Sequence, residues 1–176
     1  HAFANCAKLN SFTISSQVQY IQTIWYGSGG DHAILKNSPN VDTINIVANS
    51  IEEICNNTTN NQLTWNFVSI PRRIIVKGVE ITNLDIPNSV TSVSTGAFIG
   101  CYNISAVTIG DNVTSIGDLA FYKCKSLIYA TIGNGVTSIG KSAFSSCDSL
   151  TSITIPSGVT SVGKGAFYNC SSMKQC

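Results

Sequence analysis

Along the second half of the chain the apolar residues return at fixed slots. Val90-Thr91-Ser92-Val93 is followed by Ala97-Phe98, then by Cys101, Ile104, Val107 and Ile109. Val113-Thr114-Ser115-Ile116, Ala120-Phe121, Cys124, Leu127, Ala130 and Ile132 repeat the order. So do Val136-Thr137-Ser138-Ile139, Ala143-Phe144, Cys147, Leu150, Ile153 and Ile155. A fourth unit opens with Val159-Thr160-Ser161-Val162 and reaches Ala166-Phe167, Cys170 and Met173. Successive phenylalanines stand 23 residues apart. A constant period of that size marks stacked units, each too small to bury its own apolar face, that share one continuous core.

The pattern inside a unit predicts its elements. Leu150-Thr151-Ser152-Ile153-Thr154-Ile155 alternates like a half-buried strand, with Leu150, Ile153 and Ile155 inward and Ser152 and Thr154 outward. One such strand per unit, laid side by side at ~4.8 Å, makes a parallel sheet. The Val-Thr-Ser-Ile stretch is a second short extended segment, and Gly117, Gly140 and Gly163 behind it permit a turn. Ala-Phe-x-x-Cys has helical spacing and predicts a short helical turn on the convex side.

The first half carries the same pattern in degenerate form. Ala2-Phe3, Cys6, Leu9, Phe12 and Ile14 fit one unit, and Ile34-Leu35, Ser38, Val41, Ile44 and Ile46 another. Ile81, Leu84 and Ile86 fit a third with Ile74-Ile75 in the Ala-Phe slots, and Trp65, Val68 and Ile70 suggest one more. That makes about eight units with partial ones counted. Phe3 and Leu35 are 32 apart, so nine extra residues sit between them, with Trp25–His32 as the place. The step from Thr59 to Ile75 is only 16, so that unit is short or the register shifts. The expected architecture is an α/β solenoid, a right-handed superhelix with one parallel strand per ~23-residue unit and few short helical turns. It forms a single domain over 1–176, degenerate in 1–80 with an insertion near 25–32, and regular in 81–176.

Ile153-Thr154-Ile155-Pro156-Ser157-Gly158-Val159-Thr160-Ser161-Val162-Gly163, with Ala166-Phe167 and Cys170 behind it, resembles the BspA-like subclass of leucine-rich repeats. The likeness is specific from about Ile81 to Cys170 and weaker across 15–80. It implies a cell-surface or secreted protein of the kind found in bacteria and parasitic protists, which binds host proteins or other cells. The family brings no catalytic residues to carry over.

Composition narrows the partners. Charged residues are 11% of the 176 and the net charge is +1, too little field to draw in nucleic acid. No apolar run reaches the ~18 residues of a membrane span. Arg72, Arg73 and Lys77 form the one basic cluster and read as a solvated loop. The single methionine is Met173, and the chain opens inside a unit, so it reads as a mature product or an excised piece.

Seven cysteines are present, and Cys6, Cys101, Cys124, Cys147 and Cys170 share one slot. A file of small buried thiols is favoured over a disulfide ladder. The odd number leaves a thiol over, for which Cys176 is the candidate, alone or bridged to Cys170. Asn56, Asn57, Asn103, Asn112 and Asn169 head glycosylation acceptor motifs, and ordinary turn asparagines are the preferred reading.

A reaction centre is not evident. His32 beside Asp31, with Ser28 and Cys55 elsewhere, makes a triad only on paper. Gly27-Ser28-Gly29-Gly30 lacks the Lys-Ser/Thr of a phosphate loop, and Glu52-Glu53 reads as exposed. The chain is therefore expected not to be an enzyme, and to use neither cofactor nor metal. Outward strand positions offer instead a recognition face: Phe67, Asp85 and Tyr129, with Trp25 and Tyr26 from the insertion beside them. The expected partner is a host or neighbouring-cell protein. The alternative is a structural protein that associates with itself through the solenoid ends into filaments. An ice-binding face, suggested by Thr108, Thr131 and Thr154, ranks below both.

Overall fold

The computed structural model describes residues 11–15, 43–55 and 72–173. In the regular half each unit is one coil. Asn83–Ile86 (β5), Ala106–Ile109 (β7), Tyr129–Thr131 (β9) and Ser152–Thr154 (β11) form a parallel sheet in the order β11-β9-β7-β5. Its register steps by one unit: Leu84 pairs with Val107, Val107 with Ala130 and Ala130 with Ile153. The alternation expected from sequence is present, since Leu84 and Ile86 are buried while Asn83 and Asp85 are exposed.

The second extended segment also pairs. Ser92–Val93 (β6), Ser115–Ile116 (β8), Ser138–Ile139 (β10) and Ser161–Val162 (β12) make another parallel sheet, so a regular coil carries two strands. The threonines before β8, β10 and β12 each bind the coil behind them twice. Thr114 donates its backbone N–H and its hydroxyl to the Thr91 carbonyl at 2.9 and 3.0 Å. Thr137 and Thr160 do the same one and two coils on.

The Ala-Phe-x-x-Cys segment differs from expectation: it is a chain of tight turns, not a helix. Leu119, Lys123, Ser142, Ser146 and Asn169 have φ between 53 and 60°, and Gly96, Gly100 and Gly165 occupy the same two slots in other coils with φ of 65 to 69°. Left-handed residues at every fourth and then nineteenth step cannot propagate a right-handed helix. The backbone instead splits its donors. Phe121 N–H reaches the Ala143 carbonyl of the next coil at 2.7 Å, while Cys124 N–H closes a turn onto the Phe121 carbonyl at 3.2 Å.

These turns carry the core. Phe98, Phe121, Phe144 and Phe167 lie in one file with ring centroids 5.3, 4.9 and 5.6 Å apart and planes within 11° of parallel. A continuous cluster of buried side chains runs from Ile46 to Ala166. Gly117, Gly140 and Gly163 serve close approach rather than a turn conformation: a Cβ on Gly117 would stand 2.5 Å from the Thr95 backbone nitrogen.

The first half follows another course. Ser11–Ser15 (β1), Thr43–Ala48 (β2) and Arg72–Val76 (β3) are parallel neighbours, and Val79–Glu80 (β4) folds back antiparallel on β3. Ile74-Ile75 therefore do not fill Ala-Phe slots. They belong to a hairpin inserted ahead of β5, whose two-residue turn Lys77-Gly78 has positive φ at both positions (50 and 79°), the backbone that suits a tight hairpin. Ile81, Leu84 and Ile86 do hold the slots expected of them, since Thr82 and Ser105 are joined across the coils and Leu84 and Ile86 pair with Val107 and Ile109. One helix is described, Ile51–Cys55 (α1). Asn49 N–H donates to Glu53 Oε2 at 3.0 Å and Glu53 N–H to Ser50 Oγ at 3.4 Å, which caps its start. The Cys55 carbonyl accepts the Ser94 N–H, so α1 ends where the strand preceding β6 would run.

Candidate recognition face

The outer face of the β5–β11 sheet consists of files of equivalent residues. One is Asn83, Ala106, Tyr129 and Ser152; the next is Asp85, Thr108, Thr131 and Thr154. Paired residues of parallel strands point to the same side, so Asp85 and Tyr129 share this face, two strands and two residues apart. Tyr129 is 50% exposed. Ala106, its pair on β7, is short and buried, so neighbouring side chains close over it.

Sequence reasoning missed Ile128, which is 46% exposed next to Tyr129. Its slot holds Thr82, Ser105 and Thr151 in the other coils. A lone isoleucine in a file of hydroxyls was the available signal. Ile128 also anchors the stack through its backbone, accepting from the Thr151 N–H at 2.8 Å and the Thr151 hydroxyl at 3.0 Å.

Phe67, Trp25 and Tyr26 lie outside the described residues, as do His32, Asp31, Ser28, Cys6, Cys176, Asn56 and Asn57. The outward residues of the first half stand in another sheet. Thr13 and Asn45 are neighbours, but the next strand beside Asn45 places Arg73 there, in a sheet distinct from the one that holds Asp85.

The basic cluster is likewise not a solvated loop. Arg72 is buried, and its backbone N–H donates to the Gly100 carbonyl at 2.8 Å. Burial pushes its guanidinium down to about 10, still charged at neutral pH. Arg73 Nε donates to the Tyr102 hydroxyl at 2.7 Å and lies 3.6 Å from Glu80 Oε1. Asn103 Nδ2 donates to the Ile81 carbonyl at 2.8 Å and to Glu80 Oε1 at 3.1 Å, which ties the hairpin to the next coil. Asn112 Nδ2 donates to the Asn88 carbonyl at 2.9 Å. Both amides thus work as structural asparagines, whereas Asn169 is exposed. Glu52 and Glu53 are half-buried. Ser89 Oγ donates to Glu52 Oε1 at 2.7 Å and holds that carboxyl below the usual range.

Cys101, Cys124, Cys147 and Cys170 are free thiols in one file. Cys124 and Cys147 donate through Sγ to the carbonyls of Phe98 and Phe121 at 3.1 and 3.2 Å. Burial pushes Cys101 up to about 12 and Cys124 well above an ordinary thiol. Such thiols are poor nucleophiles and poor metal ligands. Among the described residues no group of three or more His, Cys, Asp or Glu is placed to hold a metal ion, and no helix is long and apolar enough to cross a membrane.

A stack of short coils, with a parallel strand of Leu-x-x-Ile-x-Ile pattern on one side and a phenylalanine file inside, defines a leucine-rich-repeat solenoid. The sequence matches the BspA type leucine rich repeat region in six copies over residues 1–77 and 68–176. The chain belongs to the BspA-type leucine-rich repeat family. No curated protein matches it. Among solved structures it is similar to a leucine-rich repeat protein of T. pallidum, with 33% identity over 52% of this chain and 43% of that one and a TM-score of 0.51. It is also similar to a leucine-rich cell surface protein of Faecalibacterium prausnitzii A2-165, at 19% identity over 98% of this chain and 60% of that one, TM-score 0.45. A leucine-rich repeat protein of Bacteroides ovatus ATCC 8483 matches at 15% identity over 78% of this chain and 49% of that one, TM-score 0.34. The chain thus spans less than two thirds of the length of each.

Proposed function

We propose that this chain is a non-catalytic protein-recognition module of a cell-surface or secreted protein, and that the outer face of the β5–β11 sheet is its contact surface. The observation that carries the reading is Tyr129, half-exposed beside Ile128 on a face whose other outward side chains are hydroxyls, one amide, one alanine and the Asp85 carboxylate. Exposed aromatics on a rigid support bind at low entropic cost, and such residues dominate interface energetics. Phe67, Trp25 and Tyr26 belong to the same proposal from sequence alone. The test is adhesion of beads coated with the chain to host epithelial cells and to neighbouring bacterial cells. Tyr129→Ser is expected to reduce attachment at least about tenfold, as loss of a central aromatic contact does. Attachment unchanged by Tyr129→Ser and Ile128→Ser together argues against this face.

The last described coil favours a second reading. Ile155 is 43% and Val162 50% exposed, whereas Ile132 and Ile139, one coil earlier, are buried. β11 and β12 also have a sheet neighbour on one side only. Another coil of the same repeat would cover both residues and extend both sheets. Sedimentation across a dilution series, with Val162→Lys as the control, separates this self-association from a single stack.

A further inference from the structure

We infer that the β5–β11 face takes an extended segment of a partner protein that carries a lysine or arginine three or four residues from a large apolar side chain. The cation would sit at Asp85 and the apolar group at Tyr129 and Ile128. The inference rests on that face being the recognition surface and adds the chemistry of what it recognises.

Charge selects the sign. On the described strands of this face the outward residues are Asn83, Asp85, Ala106, Thr108, Tyr129, Thr131, Ser152 and Thr154, and Asp85 alone bears a charge. Asp111, in the turn after β7, is the nearest further charge in sequence. It is also an acid, and its Oδ1 already accepts the Asn134 N–H at 2.7 Å. The nearest lysine in sequence to this sheet, Lys125, is engaged with Asp148 at 3.7 Å. A partner group above Asp85 therefore meets a carboxylate with no cation from the face's own strands beside it.

Geometry selects the spacing. Tyr129 stands two strands from Asn83, and Asp85 two residues further along β5. At ~4.8 Å between strands and ~3.3 Å per residue the two Cα atoms are about 12 Å apart. An extended chain advances ~3.3–3.6 Å per residue, so three or four residues cover that distance. The segment would cross the strands obliquely from Asp85 to Tyr129, passing above the buried Ala106 between them. Thr108 and Thr131 flank this path with exposed hydroxyls able to pair with the partner's backbone.

A random-peptide phage library selected against the immobilised chain tests this, in parallel with Asp85→Asn and Tyr129→Ser variants checked for unchanged thermal unfolding. The expected result is enrichment of peptides with Lys or Arg three or four positions from Leu, Ile, Phe or Trp. Asp85→Asn should remove the basic residue from the enriched set and weaken the selected peptides about threefold, the size of an exposed ion pair. Added salt should do the same. Enrichment of acidic or neutral peptides, or of basic ones without the spacing, overturns the inference. So does an enriched set that depends on Tyr129 but is identical for Asp85→Asn, although the face would then still be the recognition surface. If no peptide depends on Tyr129 and a glycan array binds through it instead, the partner is a carbohydrate and the inference fails. If nothing depends on either residue, the face itself is the wrong surface.

Discussion

The thiol of Cys124 points back along the stack and donates to the carbonyl of Phe98, 3.1 Å away in the preceding coil. Cys147 and Cys170 repeat the bond onto Phe121 and Phe144. Cysteine thus serves here as a small side chain that both fills space and satisfies a buried acceptor at the bend. Cys124→Ala is expected to cost about 1–2 kcal/mol, from the lost bond and the small void together. Urea unfolding of the two proteins measures it.

Ionisation of these thiols sets an alkaline limit. An ordinary thiol titrates near 9.0, and burial raises Cys101 to about 12. In the unfolded chain the group binds its proton less tightly, so its contribution is whole below pH 9 and is lost as pH rises toward 12. Stability should fall by about 1 kcal/mol per buried thiol for each pH unit in that window. Chemical denaturation from pH 7 to 11 reads the slope. In the native protein at pH 8, Cys170, half-buried at its end of the file, should react with iodoacetamide before Cys101, Cys124 and Cys147.

Phe121 has a stacked ring on each side, whereas Phe167 has one and is only partly buried. Phe121→Ala should cost about 3–5 kcal/mol and Phe167→Ala clearly less. Equal costs would mean that neither the second stacked ring nor the deeper burial of Phe121 contributes. Thermal melts of both variants decide it.

Backbone conformation offers a gain. Ser146 holds φ of 58° in a slot that Gly100 occupies two coils earlier. Ser146→Gly should stabilise by up to about 1 kcal/mol, the left-handed penalty less the added freedom of the unfolded glycine. Gly117→Ala should do the opposite by about 2 kcal/mol or more, because the new Cβ meets backbone rather than a movable side chain. Denaturation midpoints show both.

Tyr129→Ser and Asp85→Asn should each change stability by no more than about 0.5 kcal/mol, since both side chains project from the sheet. Loss of binding in either variant, at unchanged melting temperature, then reports on contact and not on folding.

Where each coil repeats its neighbour, the sequence was close to sufficient. A slot seen four times at a constant interval reports its own environment, and so the phenylalanine file, the thiol file and the alternation at Leu84, Asp85 and Ile86 were legible. Two things were not. The turn around Ala120-Phe121 has helical spacing, yet its left-handed residues are Leu119 and Lys123, side chains that do not advertise that conformation. The hairpin over Arg72–Glu80 turns on Lys77-Gly78, a weaker signal than Asn-Gly, and its Ile74-Ile75 imitates an Ala-Phe pair at the right distance. Arg72 was read as solvated because charge is usually exposed, and only tertiary packing places it inside. On the proposed face, Asp85 and Tyr129 stand out as departures from their files, and Ile128 departs in the same way from a file of hydroxyls.

The register between coils makes distance on this face a matter of copy number. Asp85 and Tyr129 come from coils two steps apart, so deleting the intervening 23 residues would bring them one strand closer, and duplicating those residues would push them one strand further apart. Each event moves the two side chains by ~4.8 Å relative to each other along the stack while leaving buried residues with neighbours from an equivalent coil. Gain or loss of one coil is thus a ruler with fixed graduations, by which a lineage could respace this surface without redesigning its interior.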